Sequence, residues 1–138
     1  YMIKSKKLMK KVISIFAISL LSISIQAQTF VCTDINYYGS DMTPQKIQKE
    51  KAKYLGSKAT LTFFDNSVKL SMNQDGKVES IVLDKVNNNE YQYIEKNRVG
   101  DVKKAVVKLN KWVEYIRSFT VEGYKNYSLQ ATATYKLY

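Results

Sequence analysis

The chain has 138 residues, with 22 basic and 12 acidic side chains, one cysteine and no histidine. Without histidine, Ser-His-Asp and Cys-His catalysis and most zinc or transition-metal sites are excluded. A single cysteine allows no internal disulfide, and the length suits one small domain once an export segment is set aside.

That segment stands at the front. Lys4, Lys6, Lys7, Lys10 and Lys11 form a basic start, residues 12–25 follow without a charge, and Ala27 supplies a small residue for cleavage. This is the layout of a secretory signal peptide over residues 1–27, and its apolar run is shorter than the roughly 20 residues a membrane helix needs. The expectation is an exported bacterial protein, periplasmic or extracellular, whose only membrane contact is through this segment before cleavage. Cleavage leaves residues 28–138 as a single β-rich domain. Five lysines leave with the segment, so the net charge falls from +10 to about +5. A nucleic-acid partner loses its support there.

Residues 29–38 read as a first strand, with Val31, Ile35 and Tyr37 alternating against Cys32, Asp34 and Asn36. Cys32 on this strand is expected to be a buried small hydrophobe, with an intermolecular disulfide as the alternative. Thr43-Pro44 has the chemistry of a helix start, Thr43 as N-cap and Pro44 in the first turn, and Gly56 that of a stop. Ile47 and Leu55 give this helix a thin apolar face, while Lys46, Lys49, Lys51 and Lys53 cover the rest. It is expected to lie as a strap outside a sheet.

Runs at 59–64 and 68–72 flank the polar Asp65-Asn66-Ser67, and each places its apolar residues two apart. That pattern predicts a β-hairpin with one buried face. Asp75-Gly76 turns the chain into a strand over 77–85, and Asn87-Asn88-Asn89 turns it into another over 90–96. Residues 102–117 admit two readings. Val102, Ala105, Val106, Leu109, Trp112, Val113 and Ile116 follow helical spacing. The four valines and the Asn110-Lys111 pair suit instead a strand over 104–109, a turn and a second strand. Residues 119–125 and 127–137 form a last hairpin around Lys125-Asn126. The fold class is thus mainly β: an antiparallel meander of six to eight strands, rolled into a small barrel or curled sheet, with one short early helix and a second left open near 102–117.

The meander from residue 59 to 137 resembles the small lipocalin-like barrels common among exported bacterial proteins. It departs from them in having no Gly-x-Trp near the first strand, its only tryptophan being Trp112, and in carrying its helix between the first two strands. The resemblance implies ligand binding by analogy of architecture.

No catalytic constellation is visible. The acids are scattered singly, Cys32 has no base beside it, and a calcium loop aligned on Gly76 would need a bidentate acid where Val82 stands. No enzyme activity, cofactor or metal is expected. Tyrosine is abundant, and Tyr91 and Tyr93 share one face of a strand. Tyr91, Tyr93 and Trp112 are therefore the candidate ligand-binding residues, offering stacking surfaces with polar tips. Two functions fit: an exported binding module for a small amphipathic ligand or glycan, and an envelope accessory protein or inhibitor acting through protein contacts.

Overall fold

A computed structural model describes residues 27–39, 41–74 and 76–138. The expected signal segment lies outside these residues except for Ala27, which opens the first strand opposite Thr62. Eight antiparallel strands follow in chain order: β1 (Ala27–Tyr37), β2 (Lys58–Phe63), β3 (Ser67–Gln74), β4 (Lys77–Asn87), β5 (Glu90–Lys96), β6 (Val102–Trp112), β7 (Tyr115–Lys125) and β8 (Ser128–Leu137). One helix, α1 (Pro44–Tyr54), lies between β1 and β2. Each strand pairs with the next, and β8 returns to β1, so the meander closes into a barrel. Closure removes the edge that an open meander of this length would leave.

The alternation expected in β2 and β3 sets the interior. Leu61, Val68 and Leu70 are fully buried, and across the barrel they meet Phe30, Leu83, Val107 and Phe119. Phe119 is central: its ring meets Phe30 edge-on at 4.9 Å and stacks on Tyr135 at 4.8 Å.

One expectation needs correction, and the choice left open at 102–117 falls to strand-turn-strand. In β1 the interior side begins with Phe30 and Cys32, not Val31, and passes to Ile35 further along. A bulge between Cys32 and Asp34 inserts one extra residue into the pairing with β8 and so exchanges the faces. Cys32 is buried and unpaired, in line with its reading as a small hydrophobe. The helical reading of 102–117 fails. Val102–Trp112 and Tyr115–Lys125 are two long strands, paired to each other throughout. A bulge that leaves Arg117 of β7 unpaired opposite Asn110-Lys111 accompanies pairing past the expected turn, and the chain reverses at Val113-Glu114, with Val113 in the left-handed region at φ 60.

Helix α1 matches its sequence reading. Thr43 Oγ1 accepts the Lys46 N–H at 3.2 Å, Pro44 opens the first turn, and no residue of the helix is fully buried. Its exit is stitched to β1: Gly56 N–H donates to Cys32 O, and Cys32 N–H donates to Ser57 O, both at 2.9 Å. The β7–β8 turn is held as firmly. Asn126 and Tyr127 both take left-handed backbone, the pattern of a tight two-residue hairpin. Asn126 Oδ1 accepts the Val102 N–H at 2.9 Å, while its Nδ2 donates to Asp101 Oδ1 at 3.1 Å.

One seam of the wall is short. β4 and β5 pair at only three positions, Asp84–Gln92, Lys85–Tyr91 and Asn87–Glu90. Among the described residues, 77–83 of β4 pair only with β3, and 93–96 of β5 only with β6.

Candidate functional site at the open end of the barrel

The barrel is filled unevenly, and the residue sizes show why. At one end, Phe30, Leu61, Leu70, Leu83 and Phe119 occupy the interior completely. At the other end the last part of β7 and the first part of β8 carry Val121 opposite Ala133 and Gly123 opposite Ala131. β1 lays Ile35 beside Ala133 and Tyr37 beside Ala131. Small side chains at successive inward positions leave space that no neighbour fills. A Cβ on Gly123 would meet nothing nearer than 3.9 Å, so this end of the barrel has room to spare.

Helix α1 straps this open end. A pocket of about 330 Å³ lies between Ile35, Tyr54, Val121, Ala133 and Tyr135, with Glu50 at its rim. A second, of about 370 Å³, is lined by Lys53, Ser57, Gln74, Lys77 and Glu79. The two share Tyr54, Met72 and Tyr135, which form a waist between them. A third, of about 410 Å³, opens on the outer side between Tyr37, Met42 and the helix residues Lys46, Lys49 and Glu50.

The chemistry of the waist follows from burial. The Tyr135 hydroxyl donates to Met72 Sδ at 3.6 Å, and desolvation, assisted by Cys32, pushes its pKa up to about 12. It is a neutral donor at any physiological pH. Burial raises the Cys32 thiol as well, so this sulfur is a poor nucleophile. Tyr37 is raised by burial first and by Glu50 second. Gln74 adds the one anomaly: its Nε2 is buried and finds no acceptor among the described residues. Leaving a buried donor unpaired costs roughly 1–3 kcal/mol. No three acidic or cysteine side chains among the described residues converge as metal ligands would.

The residues singled out in sequence lie elsewhere. Tyr91 sits in the packed core at 5% exposure, edge-on to Phe63 at 6.1 Å. Tyr93 faces the same side two positions nearer the open end and is 36% exposed. Trp112 stands at the opposite end of the barrel beside the β6–β7 turn, 69% exposed, with the Arg117 guanidinium 5.9 Å from its ring. Tyr91 and Tyr93 are thus neighbours, whereas Trp112 is remote from both, and none of the three lines the pockets around α1. Those pockets draw on Tyr37, Tyr54, Met72, Gln74 and Tyr135, which come from four separate elements. One signal for them was present in sequence: the alternation Ala131-Thr132-Ala133-Thr134 before Tyr135, small inward residues ending on a large one. Comparison with known proteins finds no match to a family model, a curated protein or a solved structure.

Proposed function

We propose that the protein is a lipocalin-like binding module that holds a small amphipathic ligand in the open half of the barrel, beneath α1. The observation that carries this reading is the uneven filling: space bounded by Ile35, Val121, Ala131 and Ala133 on one side of a tyrosine waist, and polar groups on the other. Mostly apolar walls with a few placed polar groups are the usual make-up of a small-molecule site. In this reading the protein acts without catalysis and after export, the latter supported by the basic and then apolar residues of 4–25.

The test is displacement of anilinonaphthalene sulfonate, a fluorescent amphiphile, compared between the wild type and Ala133→Leu. The leucine points into the unfilled space, so probe affinity falls at least tenfold while the melting temperature holds. Unchanged affinity in a folded variant would remove the open half as the site.

A second reading, an envelope accessory protein, draws on the β4–β5 seam. Val78 (65% exposed), Val82 (51%) and Ile94 flank strand edges that stand apart from each other, and unpaired edges recruit strands from other chains. A photo-reactive side chain at position 82 that traps a protein in the native envelope, where the same group at position 133 does not, would put this reading first.

A further inference from the structure

The two pockets that meet at the waist differ in chemistry, and that difference orients a ligand. On the Val121–Ala133 side the walls are mostly apolar, with Thr132, the tyrosine hydroxyls and Glu50 at the rim as the polar groups. On the Gln74 side the lining carries the ammonium groups of Lys53 and Lys77, the hydroxyl of Ser57 and the amide of Gln74, against one carboxylate, Glu79. Among the described residues of this lining, which include the amide of Asn73, the two ammonium groups outnumber the one carboxylate. The Gln74 Nε2 is buried with no acceptor among the described residues. The Tyr135 hydroxyl at the waist donates to the Met72 thioether, a weak acceptor, has Cys32 and Ser57 beside it, and stays protonated.

Resting on the binding reading above, we propose that the ligand is a carboxylate-headed amphiphile. Its head lies among Lys53, Gln74 and Lys77, and its apolar body passes the Tyr54–Met72–Tyr135 waist toward Ile35, Val121 and Ala133. A carboxylate accepts up to four hydrogen bonds and donates none, so it satisfies the Gln74 amide and both lysines without leaving a donor of its own opposed to them. An alcohol head accepts at most two hydrogen bonds, carries no charge and brings a donor of its own. An ammonium head would face Lys53 and Lys77 and, among the described lining residues, find Glu79 alone in its favour.

Three probes of equal chain length separate the possibilities: decanoate, decanol and decylammonium, each titrated as monomers into the full-length mature protein by calorimetry. Decanoate is expected to bind about tenfold or more tighter than decanol at low salt, as a charge-assisted contact implies, and the gap narrows as salt is raised. In Lys53→Met/Lys77→Met, and separately in Gln74→Leu, the decanoate-to-decanol affinity ratio falls toward one. Equal binding of decanoate and decanol by the wild type would overturn the head-group assignment and leave the apolar pocket standing. Tighter binding of decylammonium would overturn it in favour of Glu79 as the head-group partner. Failure of all three to bind would remove the binding reading itself.

Discussion

The two halves of this barrel are built from the same eight strands and do opposite things. In the packed half, Phe30, Leu61, Leu70, Leu83 and Phe119 fill the interior, and Phe119 bridges Phe30 and Tyr135 by ring contacts under 5 Å. In the open half the same inward positions of β7 and β8 hold valine, glycine and alanine, and a helix with no fully buried residue lies across the mouth. The strand ladders run through both halves, save at the β4–β5 seam, which pairs at only three positions. The contrast teaches that stability and capacity are allotted along the barrel axis by side-chain volume alone.

The largest effect should come from emptying the packed half. Phe119→Ala removes the ring at the centre of the core and is expected to cost about 3–5 kcal/mol in urea denaturation. A loss below about 1 kcal/mol would mean that the packed half is not where stability resides. The second effect is alkaline. Tyr135 has a folded pKa near 12 against 10 for the free side chain. The native state therefore holds its proton more tightly than the unfolded chain. That contribution is complete below pH 10 and is lost as pH rises toward 12, at a limiting slope of roughly 1.4 kcal/mol per pH unit. Tyr135→Phe should flatten the wild-type decline over this window, and parallel curves for the two proteins would contradict the buried-phenol account.

A smaller effect sharpens the comparison from the roomy side. Ala133→Leu should change stability by less than about 1 kcal/mol, whereas Ala59→Leu, at a buried site beside Phe30, should cost about 1–3 kcal/mol. Equal costs would show that the two halves are packed alike. The smallest effect lies in the loops at the mouth. Asp101 is held below its usual carboxyl range chiefly by Asn126 and then by Asn97. Its contribution is present above the ordinary carboxyl pKa and disappears as pH falls through the depressed folded value. Asn126→Ala should shift the acid-unfolding midpoint upward slightly, read by circular dichroism. A midpoint that moves down would reverse the sign of that contact.

The sequence disclosed most of the fold and little of the site, for identifiable physical reasons. The hairpin of β2 and β3 was legible because its buried residues keep strict period two, and the α1 boundaries because Thr43, Pro44 and Gly56 each do one local job. The phase of β1 was not legible, since a bulge at Thr33 depends on the register against β8, over a hundred residues away. The helix-like spacing of 102–117 arose from a strand apolar on both faces. Val107 and Leu109 fill the interior, while Val102 and Val106 are buried on the other side. Two interleaved period-two sets can imitate one set at 3.6. Parity placed Tyr91 and Tyr93 on one face, but depth along the barrel axis is not encoded in parity, and the pocket residues Tyr37, Tyr54, Met72 and Tyr135 converge only through closure.

The short seam between β4 and β5 has a mechanical meaning. At the height of the mouth the wall is shaped like the letter C and not like a ring, because the hairpin of β3 and β4 is tied down along one flank only. A ring widens by breaking ladder bonds, whereas a C widens by bending its free arm. The aperture beside Gln74 and Glu79 is therefore governed by the stiffness of that arm. In the binding reading proposed above, passage at this mouth costs elastic energy in that arm and leaves the ladder of the packed half intact.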